Sequence, residues 1–427
     1  MFNPKSDEHS NFYMPFQCIW LKLNGSWPLE YDVKNGAVRG ENFFRKAYSC
    51  WSWYVIVSVG ITISFQTSFL IDHFGDIIML TENCCTTLMG VLNFVRLLHL
   101  RLNQNQLREL VQEFVSNIWI PDNKSVHITK ECRKRMITFR VMTMLLSCLI
   151  LMYCILPLVQ LFSDFGMNAE DKPFPYKMGF PFNPYRNWMS YAATYLFTSY
   201  AGICVVTTLF AEDSLFGFFI TYTCGQFRLL HERVEVLIVM TKANSSNNAD
   251  ITKLQRNQTL ELHSCARQHN KIICFAKRLE DFFSPILLIN LIISALLICM
   301  VGFQLVTSKY MFIGDYMKFI IYISSAISQL YIICKNGDLL IQHSTITAWH
   351  LYNCDWDGVQ NKDNTICAYT NSEFRTNLQF MIMCSQRPVR ITTFKFSTLS
   401  LQSFTAILST SMSYFTLLRS LLDDSKV

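Results

Sequence analysis

The residues of this chain whose types and spacing point most directly to chemistry are small polar side chains near its C-terminus. Residues 396–418 carry no charge, so this stretch can cross a membrane as a helix, but it is not apolar on every side. At 100° per residue, one narrow face carries Gln402, Ala406, Ser409, Ser413 and Ser420, with Thr416 and Leu417 at its edges. The opposite face carries Phe404, Leu408, Phe415 and Leu418. Such a stripe can face water in a pore, and the alternative is a dry contact between helices, where small polar residues also concentrate.

Patterns typical of enzymes are absent from the sequence. It contains no G-x-S-x-G, no Walker loop, no dinucleotide fingerprint and no H-E-x-x-H. The 16 cysteines form no C-x-x-C pair and no metal-site spacing with histidine. Glu82 is the clearest ionisable residue inside an apolar run, where such a group is a candidate functional residue. It could equally sit near an interface or bond to a neighbouring hydroxyl. Because the sequence shows neither enzyme motifs nor metal-site spacings, we expect that the protein is not an enzyme and binds no metal or cofactor.

The elements that must position these residues are membrane helices. Only 16% of the residues are charged, against about 25% in a soluble protein. Charge-free or nearly charge-free runs are long enough to cross a ~30 Å hydrocarbon core. The seven predicted spans lie near 47–71, 77–95, 141–163, 187–211, 282–308, 317–336 and 396–418. The sequence therefore predicts an all-α membrane protein, and because its basic residues follow membrane topology we expect no nucleic-acid partner.

Lysine and arginine are distributed unevenly between the two sides of the predicted bundle. Of the 37 such residues, 30 precede span one or lie between spans two and three, four and five, or six and seven, where Lys335 at the end of span six is counted with the last connection. The positive-inside rule then places the N-terminus in the cytosol and the C-terminus outside the cell. No cleavable signal peptide is visible, so residues 47–71 are expected to act as a signal anchor. The four glycosylation sequons fall on the cytosolic side and should carry no glycan: Asn24, Asn123, Asn244 and Asn257.

Several helices are predicted to continue beyond the membrane. Residues 187–240 contain no proline and would reach about 80 Å as one helix. Residues 252–280 are predicted to run into span five, and 339–353 and 372–386 are predicted to form two further amphipathic helices. We therefore divide the chain into three parts: a six-helix transmembrane bundle with the ligand pocket (1–338), cytosolic anchor helices (339–393) and a pore-lining seventh helix (394–427). Residues 164–186 hold four prolines and several aromatics, and form either a lid over the outer mouth or a plain surface loop.

Short segments in the last third of the chain resemble insect odorant receptors. Residues 348–356 (AWHLYNCDW) resemble the tyrosine–x–cysteine/serine–aspartate–tryptophan segment that follows span six, and 334–337 (CKNG) resemble the cysteine–x–x–glycine that ends it. Residues 383–389 (MCSQRPV) resemble the A-Q-R-P segment of the family. Residues 394–404 (FKFSTLSLQSF), followed by 411–418 (SMSYFTLL), resemble the terminal pore helix with its serine–tyrosine–phenylalanine signature. The combination is specific, although each motif alone is short.

A further match lies ahead of span one, where Trp20 and residues 25–28 (GSWP) resemble the family's G-x-W-P. The resemblance implies a ligand-gated, non-selective cation channel that detects small, volatile, apolar odorants. It implies that this chain is the odour-tuned subunit and assembles with an olfactory coreceptor into a heterotetramer. The last span would line a pore for permeant cations. The channel would lie in the lipid of the plasma membrane of olfactory sensory neuron dendrites. The long cytosolic loop typical of the coreceptor is absent.

Alignment of these motifs also assigns pore positions. Leu417 takes the place of the hydrophobic gate, Leu421 follows on the same face, and Ser420 lies near the outer mouth. A ring of leucines can close a pore by dewetting. Tyr414 matches a family tyrosine implicated in permeation, and its alternative role is packing. Arg419 departs from the pattern of a cation pore, so we expect it at the outer interface.

The resemblance also gives the region of the ligand pocket. Family pockets lie in the outer half of the bundle, between spans two, three, four and six. In this chain that region holds Ile78, Met79, Leu149, Tyr153, Tyr191, Tyr195, Phe319 and Tyr322. These side chains suit ligands bound by burial and shape, although packing in the core would explain each of them as well.

Two other classes of protein fit parts of the pattern. A gustatory receptor-like channel of the same superfamily ends in a threonine–tyrosine motif, whereas residues 413–415 are serine–tyrosine–phenylalanine. A G-protein-coupled receptor also has seven spans, but its N-terminus lies outside the cell. The chain also lacks the D-R-Y and N-P-x-x-Y motifs of such receptors.

Overall fold

Helices make up nearly all of the structure, a computed structural model that describes residues 15–28, 39–75, 77–120, 125–163, 172–239, 248–307, 313–354 and 372–424. The helices are α1 (Cys18–Leu23), α2 (Arg39–Asp72), α3 (Ile77–Leu102), α4 (Gln104–Glu113), α5 (Val126–Arg135), α6 (Ile137–Ser163), α7 (Trp188–Val239), α8 (Asn248–Thr307), α9 (Ile313–Asn353), α10 (Ser372–Ser385) and α11 (Leu401–Asp424). A π-helical turn, Phe114–Ile118, follows α4. Two short strands, β1 (Thr392–Thr393) and β2 (Ser397–Thr398), precede α11.

All seven predicted spans coincide with helices, namely α2, α3, α6, α7, α8, α9 and α11. Within the described part of the chain, five helical stretches are long and apolar enough to cross a membrane by length and composition alone, and they include α2, α6, α7, α8 and α9. Helices α3 and α11 are not among the five, and α11 carries many hydroxyl side chains. The expected all-α membrane architecture is therefore confirmed.

Helix α7 occupies the centre of the bundle. It is 52 residues long, about 78 Å, as its lack of proline predicts. In its most apolar 18-residue stretch 89% of the residues are buried, against 33% for α2, which lies at the periphery. At Gly217 an added Cβ would overlap the ring of Phe139 on α6, so glycine lets these two helices approach closely.

Helices α8 and α9 also run without interruption through predicted boundaries. Helix α8 has 60 residues, about 90 Å, and continues past Pro285. Residues 339–353 are helical as predicted, but they do not form a separate helix, because α9 continues from Ile313 through Gly337 to Asn353. The boundary proposed at residue 338 therefore falls inside one helix. The predicted helix at 372–386 is present as α10.

The seventh helix begins later than its sequence predicts. Residues 394–400 do not continue a helix, because β1 and β2 pair there as an antiparallel hairpin with Thr392 opposite Thr398. In its three-residue connection, residues 394–396, Phe394 and Lys395 have φ 49° and 63°, the left-handed conformation that tight turns use. The Phe394 amide donates to Ser284 Oγ at 2.7 Å, which ties the hairpin to α8.

Gly337 explains the close approach of α9 to the same hairpin. A Cβ added there would overlap the carbonyl oxygen of Leu399, two residues before α11 begins. The glycine of the Cys–x–x–Gly segment therefore lets the main chain ahead of α11 rest directly on α9.

The turn after α1 accounts for the segment ahead of span one. Gly25 has φ 74°, and a Cβ there would lie 2.7 Å from Ser52 Cα on α2. The preceding Asn24 is 5% exposed, and its Nδ2 donates to Thr207 and Thr208 on α7 at 3.0 and 2.9 Å. The Asn24 side chain is therefore committed to packing against α7.

Candidate ligand cavity and pore helix

A cavity lies between α2, α3, α6, α7 and α9, with about 560 Å³ of empty space that is partly open to its surroundings. Three of the predicted ligand residues, Leu149, Tyr153 and Tyr322, are in its wall. The remaining wall residues are Val59, Thr62, Ile63, Gln66, Thr86, Met89, Gly90, Ile150, Tyr176, Ala201, Gly202, Val205 and Val206.

Three of the five hydroxyl groups in this wall have hydrogen-bond partners within the protein. The hydroxyls of Thr62, Thr86 and Tyr322 each donate to a main-chain carbonyl at 2.9–3.0 Å. Their donor capacity is therefore used within the protein, and the cavity presents mainly carbon to an occupant. Gln66, which is 3% exposed, contributes the primary amide of the wall.

The proline-rich loop folds back over the bundle beside this cavity. Tyr176 stacks on Tyr153 with ring centroids 5.4 Å apart, and Gly202 leaves the space that its hydroxyl occupies. Lys177 Nζ lies 2.7 Å from the Glu82 carboxylate, so the carboxylate inside the second predicted span pairs with the loop. Residues 164–171 of the predicted loop lie outside the described residues.

Two of the predicted tyrosines pack under the loop and not in the cavity wall. Tyr191 and Tyr195 are buried, and both rings pack against Phe174, at 4.9 and 6.3 Å between centroids. The Tyr191 hydroxyl donates to Pro173 O at 2.6 Å. These residues position the loop that covers the cavity.

Phe319 and Met79 are also absent from the wall that the described residues form. Phe319 is 1% exposed, and the Lys318 ammonium sits 5.3 Å from its ring centroid and 4.9 Å from that of Tyr153. Met79 is 37% exposed. The side chain of Ile78 lies outside the described residues.

Sequence reasoning missed the contribution of α2 to the wall. Val59, Thr62, Ile63 and Gln66 come from this helix, which corresponds to span one, outside the four spans that the resemblance assigned to the pocket. A signal for it exists, because Thr62 and Gln66 are polar residues four apart in an uncharged span and so lie on one face of the helix.

A buried ion cluster lies along the same helices and was also missed. Arg96 on α3 is 1% exposed, and its Nη1 lies 2.9 Å from Asp213 Oδ1 and 3.5 Å from Glu212 Oε2 on α7. From α9, Gln329 Nε2 donates to Asp213 Oδ2 at 2.6 Å. The cluster therefore connects three helices that line the cavity.

Helix α11 presents its polar face away from the rest of the chain. Its apolar side packs inward, with Phe404 edge-on to Tyr331 of α9 at 5.5 Å, and Ser411 is buried with its Oγ donating to Ala295 O of α8. The predicted pore residues on the other side are exposed: Gln402, Ser409, Ser413, Tyr414, Leu417 and Ser420. The side chain of Leu421 lies outside the described residues. The hydroxyl stripe therefore makes no dry contact within the described part of this chain, and a contact between chains remains the alternative to a pore.

Comparison with known proteins identifies the family. A model of the family described as 7tm Odorant receptor matches residues 76–412. Odorant receptor 13a of Drosophila melanogaster is 59% identical over 413 residues, which cover 96% of each chain. The chain belongs to the seven-transmembrane odorant receptor family. Odorant receptor 47a of the same fly is 23% identical to this odorant receptor. The aligned part covers 86% of this chain and 90% of Odorant receptor 47a.

The same fold is found in solved structures of an insect olfactory receptor. OR5 from Machilis hrabei in complex with eugenol aligns with a TM-score of 0.76 and 16% identity, over 95% of this receptor and 97% of OR5. A second structure of OR5 aligns with a TM-score of 0.73 and 16% identity, over 94% and 96% of the two chains. The family is one of odorant-detecting membrane receptors and not of enzymes.

Proposed function

We propose that this odorant receptor is the tuning subunit of a ligand-gated, non-selective cation channel, in which α11 lines the pore. The observation that carries the proposal is the outward-facing hydroxyl stripe of α11, whose opposite face packs on α8 and α9. A polar stripe on a membrane helix needs either water or a protein partner. An assembly that arranges several such helices around an axis supplies both.

The assembly we propose is a heterotetramer with an olfactory coreceptor. It lies in the plasma membrane of sensory neuron dendrites with the N-terminus in the cytosol. In this arrangement Leu417, which is 55% exposed in the single chain, closes the conduction path by dewetting. Ser409 and Ser413 then face the permeating ions, and Arg419 points aside at the outer end.

The ligand we propose is a small, mainly apolar volatile molecule held in the cavity. The wall is mostly hydrocarbon and aromatic, so binding energy comes from burial at about 25 cal/mol per Å². Gln66 provides one amide for a single polar group of the ligand. The complex of OR5 with eugenol supports a ligand of this class, since a protein of the same fold takes a small odorant.

Helix α9 provides a direct connection from the proposed ligand to the proposed pore. Tyr322 lines the cavity, Tyr331 contacts Phe404 of α11, and Gly337 bears the main chain just ahead of α11. These positions span about 22 Å of one helix. We propose that ligand binding shifts α9 and that α11 follows it.

The first test is whole-cell current in cells expressing this chain with or without an insect olfactory coreceptor, during application of a volatile panel with G-protein signalling blocked. We expect a fast inward current only when both chains are present. A current from this chain alone would remove the coreceptor requirement. A response abolished by the block would refute the channel proposal.

A second test asks whether the hydroxyl stripe faces the ions. We expect that Ser409→Cys, but not Leu408→Cys, makes the odour-evoked current sensitive to a charged methanethiosulfonate reagent. The unsubstituted receptor is the baseline, because Cys50, Cys148 and Cys384 are already exposed. Equal sensitivity of the two neighbouring substitutions would argue against a pore-facing stripe.

A further inference from the structure

A second cavity, distinct from the ligand cavity, lies where the N-terminal segment crosses the bundle. About 760 Å³ of space free of protein atoms, part of it open to solvent, lies between the residues just before α1, the end of α5, the start of α6 and the middle of α7. Its wall includes two guanidinium groups, Arg133 and Arg140, together with Gln17. We propose that this cavity binds the phosphorylated headgroup of an anionic membrane lipid.

The side of the cavity formed by α5 and the start of α6 is rich in positive charge. Residues 126–140 carry one acid, Glu131, which already pairs with Arg135 at 3.0 Å and with Arg228. The same stretch carries five cations: Lys130, Arg133, Lys134, Arg135 and Arg140. Guanidinium groups bind phosphate oxygens through paired N–H donors, so two of them in one wall suit a phosphate ester.

Gln17 is an independent indication of a ligand. It lines this cavity, is 2% exposed, and its Nε2 has no hydrogen-bond partner among the described residues. A buried amide donor without a partner is costly, and nearly all such groups in folded proteins are paired. A phosphate oxygen entering the cavity between Gln17 and the two arginines would accept from it.

The position of the cavity selects a lipid over a soluble phosphate. Arg140 immediately precedes the predicted span 141–163, on the side that the charge distribution places in the cytosol. The adjoining segment exposes Phe16, Ile19 and Leu23 by 44, 55 and 54%. Their spacing puts them on one face, which is the arrangement of a segment that lies in the membrane interface. An acyl chain can follow this apolar face while the headgroup enters the cavity. This step rests on the proposed orientation of the chain.

Binding can be measured on the purified full-length receptor in neutral detergent, independently of channel activity. The probe is a fluorescent phosphatidylinositol 4,5-bisphosphate, followed by anisotropy. Each basic residue near such a headgroup contributes about fivefold in affinity. We therefore expect the double variant Arg133→Gln, Arg140→Gln to weaken binding roughly 30-fold. The control Lys134→Gln, which lies next to Arg133 on α5 but outside the wall, should change the affinity by no more than about twofold.

A second variant and a competitor complete the test. Gln17→Glu, which puts a carboxylate where the amide stands, should weaken binding at least about fivefold, and it decides the question if the double arginine variant does not fold. Inositol 1,4,5-trisphosphate should displace the lipid weakly. If this soluble headgroup displaced the probe as well as the unlabelled lipid does, the lipid assignment would be overturned. Equal losses from Lys134→Gln and the wall variants, or no binding to the unsubstituted receptor, would overturn the site.

Discussion

The buried cluster around Arg96 predicts that two adjacent carboxylates contribute very unequally to the stability of the receptor. Asp213 lies 2.9 Å from the guanidinium and also accepts from Gln329, whereas Glu212 lies 3.5 Å away and its carboxylate oxygens accept no hydrogen bond among the described residues. Removing one partner of a buried ion pair costs about 3–5 kcal/mol, because the other charge stays buried. Asp213→Asn should therefore destabilise the receptor by this amount. Glu212→Gln should cost less than about 1 kcal/mol, since it removes a poorly compensated charge.

The assay is heating of the detergent-solubilised receptor followed by size-exclusion chromatography, with the midpoint of loss compared between variants. For a chain of this size we expect Asp213→Asn to lower the midpoint by roughly 5 °C and Glu212→Gln to change it by about 1 °C or less. Arg96→Met leaves two unpaired buried carboxylates and should be worse than either. Equal shifts for the two acid variants, or a larger shift for Glu212→Gln, would refute this account of the cluster.

Three further predictions concern the cavity, the hairpin and the pore. Gly202→Ala should push Tyr176 toward the cavity and raise the half-maximal odour concentration at least about fivefold, with surface expression retained. Gly337→Ala should cost about 1–3 kcal/mol in the same thermal assay, because the added methyl meets main-chain atoms ahead of α11. Gly75→Ala, where nothing lies within 4 Å, is the control for both, and equal effects there would contradict them. Leu417→Ser should raise the resting current of the assembled channel, and an unchanged baseline in a surface-expressed variant would contradict its role as the gate.

The helical architecture could be predicted from the sequence because a membrane helix leaves a simple trace. A run of about 20 mainly apolar residues with few or no charges rarely forms anything but a membrane-spanning helix, and all seven such runs overlap helices. The hairpin before α11 left no such trace. Its two left-handed residues, Phe394 and Lys395, are neither glycine nor asparagine, so local sequence gives no turn signal there.

The wall of the cavity was only partly predictable because hydropathy does not give the rotation or depth of a helix. Tyr191 and Tyr195 are aromatic and lie near the N-terminal end of α7, as expected for the pocket, but their rings pack against Phe174 of the proline-rich loop. The ion cluster was missed for a related reason. Arg96 and Glu212 stand one residue beyond the predicted spans ending at 95 and 211, where charges are expected to be solvated. Both α3 and α7 extend further, so these positions lie inside the bundle.

The division of labour between helices has a consequence for how receptors of this kind can diversify. Among the described residues, α8 and α11 contribute none to the wall of the ligand cavity, while α11 carries the exposed stripe proposed to meet other subunits. Substitutions that alter the volume or polarity of the cavity therefore leave the outward surface of α11 unchanged. A duplicated gene can acquire a new odour response through α2, α3, α6 and α7 alone. Under the proposed pairing its product would still assemble with an unaltered partner, so selection for a new scent need not wait for a matching change in the second subunit.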